Sequence, residues 1–154
     1  MTIGNFDGVH HGHRQLLQML HDEACRWQLP SVMVTFEPHP AEFFSPEKPV
    51  ARLMRFSEKW RAVEKFHIDY FYQMTFNQAL ANLSAKDFVT HILVEQLQAK
   101  KIVIGDDFRF GEKRLGDVTL LKNMDLFEVI VLPQSMFHHA RISSMTLRLP
   151  YHIW

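Results

Sequence analysis

Apolar residues recur along this chain in two alternating rhythms. Leu16, Leu17, Leu20, Ala24 and Trp27 fall on one face at helical spacing, and Pro30 follows where such a helix should have ended. "SVMVTF" is then a short apolar run with β-branched residues, the pattern of a buried strand. "EPHPAEFFSPEKP" carries prolines at 38, 40, 46 and 49 and predicts a loop without regular ladder bonding. "SEKWRAVEKF" predicts a helix with Ser57 near its N-cap, and "DYFYQM" the next strand. Ser84 and Asp87 match a capping box, and Leu83 with Phe88 a hydrophobic staple. The helix they open should run to about Leu97, with Phe88, Ile92, Leu93 and Leu97 inward. "KIVIG" reads as a buried strand, "GDVTLLKNM" as a helix and "FEVIVL" as a last strand. The opening Met1-Thr2-Ile3 is a strand that runs straight into glycine.

Strand and helix therefore alternate. That order predicts an α/β fold, a mostly parallel sheet with helices on both faces. In such sheets ligands sit outside the carboxyl ends of the strands. The chemically distinctive residues cluster at those ends. Gly4 to His13 follow the first strand, Glu37 to Pro40 the second, and Gly105 to Gly111 follow "KIVI". Ser143 to Arg148 would be a fourth segment on the same cleft.

Composition narrows the function only a little. A chain of 154 residues is long enough for one domain with a real core. Lysine plus arginine balances aspartate plus glutamate at 17 each, so no general nucleic-acid footprint is indicated. No apolar run approaches the roughly 20 residues of a membrane helix. No signal-peptide pattern precedes the first motif, and the cytoplasm is the expected location. Cys25 is the only cysteine, which excludes an internal disulfide; its place in a helical pattern suggests a small packed residue. The pattern does not specify an oligomeric state.

"GNFDGVHHGH" is the densest stretch. Gly4 and Gly8 permit turns and close backbone approach. A helix beginning near Gly12 points free backbone N–H groups outward, which favours phosphate. His10 and His13, three apart, project together there and can donate to phosphate oxygens. Two other readings stay open: the histidines cap a helix or sit in solvent, or His10, His11 and His13 offer nitrogen ligands to a metal.

His10-x-Gly12-His13 resembles the H-x-G-H signature of the nucleotidylyltransferase superfamily. The longer "TIGNFDGVHHGH" closely resembles the adenylyltransferase domain of bacterial FAD synthetases, which is usually fused to a riboflavin kinase. "VTFEPHPAEFF", "LSAKDFV", "IVIGDDFRFGEKRLGDV" and "RISS" follow in the family's order. The resemblance runs from Thr2 to about Arg148. It implies a three-layer Rossmann-like fold and the transfer of AMP from ATP to FMN, giving FAD and pyrophosphate.

By that resemblance His10 and His13 hold ATP phosphates, with Gly4, Asn5, Phe6 and Asp7 lining the nucleotide pocket. Ser143, Ser144 and Arg148 belong to the ATP side as well, Arg148 clamping the outer phosphates. Glu37 and His39 lie beside the flavin phosphate, and Asp107, Phe108 and Arg109 on the flavin side, with Phe110 a further aromatic there. Magnesium is expected on the phosphates with few protein ligands, and Asp7 near its water shell. The chain departs from the family where Met145 stands at a threonine position, and Pro150 interrupts the helix that continues there. Both ends look clipped relative to the family, and the kinase domain is expected to be missing. Two alternatives follow: a catalytically impaired ATP- and FMN-binding remnant, or a nucleotidylyltransferase for another phosphorylated acceptor.

Overall fold

The computed structural model describes residues 1–9, 11–47, 52 and 54–133. Five strands, β1 (Thr2–Ile3), β2 (Val32–Glu37), β3 (Tyr70–Thr75), β4 (Lys101–Gly105) and β5 (Glu128–Leu132), alternate with helices as the pattern predicts. The helices are α1 (His11–Trp27), α2 (Pro40–Phe44), α3 (Phe56–Glu64), α4 (Gln78–Ala81), α5 (Ala85–Asp87) and α6 (Val118–Met124). α5 runs on as a π-helix over Phe88–Gln96.

Among the described residues the strands pair in parallel. β1 pairs with β2 and β2 with β3 in one ladder, β4 with β5 in another. Met1 joins the two. Its amino group donates to the Lys101 carbonyl at 2.8 Å. Its own carbonyl accepts from the Val103 N–H at 2.9 Å. The spatial order is thus β3-β2-β1-β4-β5, which reverses direction between β1 and β4.

Strand side chains alternate in direction, so both faces of the sheet bury apolar groups. Ile3, Val34, Ile102 and Ile104 pack on one side with Phe88, Val89 and Leu93 of the π-helix and Leu121 of α6. Met33 and Val103 point the other way, into Leu16, Leu17 and Leu20 of α1 and Val63 of α3. Two cores on opposite faces of one sheet make the fold a three-layer α/β sandwich of Rossmann-like type, as expected.

Helix ends depart from the sequence reading for local reasons. α3 is capped at Arg55, not at Ser57, because Glu58 reaches back to accept from the Arg55 N–H at 2.7 Å. The proline-rich stretch does not stay a loop: Pro40 starts α2, and His39 Nδ1 accepts from the Ala41 N–H at 3.1 Å. Ser84 caps α5 through the Asp87 N–H at 3.1 Å, while its own hydroxyl donates to the Asp87 carboxylate at 2.7 Å. Beyond that cap the winding widens. The Leu97 N–H reaches Ile92 O, and Phe88 and Leu93 are buried five apart, leaving Ile92 and Leu97 half-buried.

Two expected core positions are not core. Trp27 is 51% exposed, because the last turn of α1 leaves its ring over the Lys101 ammonium at 3.9 Å rather than over the sheet. Cys25 is exposed too, with its Sγ 3.6 Å from His21 Nε2 one turn back.

The loop after β4 is fixed by a close backbone approach. Gly111 has φ +72°, and a Cβ there would lie 2.6 Å from the Cα of Ala85. Gly111→Ala should therefore cost about 2–3 kcal/mol through strain and clash combined. A thermal melt of the variant should fall by about 4–12 °C.

Candidate functional site

The reversal point between β1 and β4 is where a sheet of this kind leaves a crevice at the carboxyl ends of its strands. The chain beyond β1 turns sharply into it. Phe6 adopts φ +47°, a left-handed backbone that costs a non-glycine residue about 1–2 kcal/mol. Burial offsets that cost: Phe6 is 2% exposed and its ring lies 4.9 Å from the His13 ring. What Phe6 contributes is an anchor, since its side chain belongs to the core below the loop. On either side of it, the Asn5 carbonyl and the Asp7 carboxylate are held in place. Thr35 Oγ1 of β2 donates to Asn5 O at 3.2 Å, and Lys59 Nζ of α3 donates to the same oxygen at 2.8 Å. Asp7 is buried and accepts from the Met54 N–H at 3.3 Å.

Asp7, Thr35, Met54 and Lys59 line one cleft with Glu37, His39 and Arg52. It encloses about 20 Å³, room for a water molecule and far less than a nucleotide. Arg52 lies across it. Its Nη1 and Nη2 donate to the two Glu37 oxygens at 2.9 and 2.7 Å, and its Nε donates to Glu42 at 2.7 Å. That hydrogen-bonded arginine holds the Glu42 carboxyl below its usual range. Burial lowers the Lys59 ammonium from its ordinary value, against the opposing pull of Asp7 and Glu37.

A larger cavity, about 320 Å³, lies at the opposite edge of the sheet, lined by Met1, Leu20, Ala24, Leu29, Leu97 and Lys101 among others. It sits at the amino ends of the strands, where this architecture does not bind ligands, so the smaller cleft is the candidate site.

The structure thus brings Asp7, Glu37 and His39 to one cleft, with the Asn5 carbonyl bonded to its Thr35 and Lys59. Gly4 extends β1, its N–H donating to Val34 O at 3.0 Å. α1 opens directly beyond the loop, and its first turn contains His13 and no acidic side chain. Asp107 and Arg109 are exposed on the loop after β4 and do not line the cleft. Arg109 donates to the Phe108 carbonyl at 2.9 Å. Phe108 is half-buried and stacks on Phe110 at 5.5 Å; Phe110 is 6% exposed and belongs to the core, not to a ligand surface. His10, Ser143, Ser144, Met145 and Arg148 lie outside the described residues. Among the described residues no three His, Cys, Asp or Glu side chains are grouped to hold a metal ion.

The sequence reading missed Thr35, Arg52 and Lys59. Lys59 did leave a signal. It stands four residues before Val63, which is 1% exposed, so it occupies the inward stripe of α3 where an apolar residue belongs.

A family model described as FAD synthetase matches residues 1–146. The chain belongs to the FAD synthetase family. It is 41% identical over 151 residues to the bifunctional riboflavin kinase/FMN adenylyltransferase of Escherichia coli strain K12, and 44% identical over 150 residues to that of Pseudomonas fluorescens. Each match takes in 96% of this chain and 48% of the relative, so the chain spans about half the length of these curated relatives. The crystal structure of a protein named macrolide-efflux protein, from Streptococcus pneumoniae, is similar with a TM-score of 0.81 at 28% identity. That match covers 95% of this chain and 48% of the other. Among the described residues no helix of this FAD synthetase family member is long and apolar enough to cross a membrane.

Replacing Arg52 tests the charge arrangement. Both partners are partly exposed, so Arg52→Met should change stability at neutral pH by no more than about 1 kcal/mol. The Glu42 carboxyl should titrate higher in the variant, back towards its ordinary value of 4.5. A lowered carboxyl pKa stabilises above the ordinary value and ceases to do so as pH falls through the folded one. The stability gap between the two proteins should therefore close in acid, measured by melts across pH with carboxyl NMR.

Proposed function

We propose that this chain is an FMN adenylyltransferase, transferring AMP from ATP to FMN to give FAD and pyrophosphate. The observation that carries the reading is the "GNFDG" turn after β1. It presents Asp7 to a cleft at the carboxyl ends of β2 and β3, holds the Asn5 carbonyl against Lys59 of that cleft, and leads into a helix with an acid-free first turn. Membership of the FAD synthetase family supports the substrates.

The chemistry requires little covalent participation from the protein. An oxygen of the FMN phosphate attacks the α-phosphorus of ATP. The bond from that phosphorus to the bridging oxygen of the β-phosphate breaks, and pyrophosphate carries the electron pair away. The nucleophile is already an anion, so no general base is needed. Catalysis rests on alignment and on neutralising charge at the reacting phosphorus.

His10 and His13 donate to phosphate oxygens at the start of α1, where the helix dipole favours negative charge. Gly4, Asn5, Phe6 and Asp7 form the nucleotide side, Phe6 through its backbone. Ser143, Ser144 and Arg148 hold the outer phosphates. Glu37 and His39 border the acceptor phosphate, and Asp107, Phe108 and Arg109 the flavin. A magnesium ion entering with ATP would be held chiefly by phosphate and water and would supply charge neutralisation there, with Asp7 the cleft carboxylate that would face its water shell. The proposed location of this reaction is the cytoplasm.

Incubation of the purified chain with FMN, ATP and magnesium, followed by chromatography, should yield FAD. His10→Ala and His13→Ala should each lower kcat at least about 100-fold. Saturable ATP or FMN binding without FAD would instead assign the impaired-remnant reading. In that case Met145→Thr is the first repair. Turnover with a different phosphorylated acceptor, and none with FMN, would move the chain to another branch of the superfamily.

A further inference from the structure

Lys59 is hard to explain as a structural residue. Its ammonium is drawn into the protein on the inward stripe of α3, and the hydrogen bond it makes goes to Asn5 O at 2.8 Å. That carbonyl already has a donor in Thr35 Oγ1. Asp7 and Glu37 attract the ammonium, but its burial outweighs them, and giving a neutral carbonyl a second donor does not offset that desolvation. A glutamine would hold the loop as well, without the cost of desolvating a charge. The other cation lining the cleft, Arg52, has its guanidinium committed to Glu37 and Glu42. Lys59 has three N–H donors, of which the Asn5 carbonyl takes one. Asp7, Glu37 and His39 line the same cleft.

We propose that Lys59 is a phosphate-binding residue of this cleft, its ammonium contacting a substrate oxyanion while still tethered to the Asn5 carbonyl. The tether fixes the charge at the end of a flexible side chain, so little rotamer freedom remains to be lost when phosphate arrives. An entering phosphate adds counter-charge to the pull that Asp7 and Glu37 already exert on the ammonium. The proposal rests on the adenylyltransferase reading for the identity of the substrates, and on the cleft alone for the phosphate contact.

The test separates charge from scaffold. Lys59→Gln keeps a donor for Asn5 O and removes the charge. Calorimetry of the 154-residue chain with inorganic pyrophosphate reads the donor side, and with FMN the acceptor side. The substitution should weaken at least one of the two by tenfold or more, with the melting temperature near that of the wild type. The arm that weakens names the phosphate. If Lys59→Gln binds both ligands as the wild type does, or if the wild type binds neither, the proposal is wrong. Should the variant melt early, the Lys59 ammonium resonance of the wild-type chain decides. It should shift on saturation with one ligand, and an unmoved resonance overturns the assignment. The FAD assay stands apart. No FAD from a wild-type chain whose phosphate binding depends on Lys59 would sink the activity and leave the residue's role intact.

Discussion

Two hydrogen bonds at Met1 set the geometry on which everything else depends. Without the Met1 carbonyl accepting from Val103 and the Met1 amino group donating to Lys101, the two parallel ladders would be separate. Joined, they form a five-stranded sheet with a reversal at its centre. That reversal decides where helices diverge to opposite faces, and so where a crevice opens. β1 itself spans Thr2–Ile3. Its position is secured by what flanks it: Ile3 is 4% exposed in one core, and Thr2, on the alternate face, is fully buried.

The loop beyond β1 shows how a core residue makes a functional surface. Phe6 could not hold its left-handed backbone as an exposed residue without a continuing cost. Buried against His13, it forces the chain to double back. Asn5 and Asp7, its neighbours, are turned towards β2, α3 and the segment before α3, where Thr35, Lys59 and Met54 meet them. Packing on one side of the loop thus prepares polar geometry on the other.

Most of the architecture was legible because buried parallel strands leave uninterrupted apolar runs. "SVMVTF", "KIVIG" and "FEVIVL" each became a strand within a residue or so of the reading. The misreadings came from interactions distant in sequence or decided by a side chain's reach. Helical spacing put Trp27 inward, yet its ring found Lys101, far along the chain. Ser57 looked like a cap, but Glu58 could reach the Arg55 N–H and shift the helix start. "GDDFRFG" looked uniformly chemical, whereas alternation along it sends Phe110 into the core and leaves Asp107 and Arg109 outside. Within the cleft, Asp7, Glu37 and His39 could be read from strand ends. Arg52 and Lys59 could not, because a basic residue in a mixed stretch of sequence is usually a solvated side chain. Only the position of Lys59 relative to Val63 marks it as different.

The described cleft pairs two carboxylates, Asp7 and Glu37, with two cations, Arg52 and Lys59. These four charges sum to zero, as the 17 basic and 17 acidic residues of the whole chain do. A phosphate approaching from a distance therefore meets no net field from these groups to draw it in. Discrimination falls to directional contacts made after encounter, at hydrogen-bond range. An anion gains from entering only when it can replace a carboxylate at Arg52 or add to the Asn5 oxygen at Lys59, which rewards shape over charge.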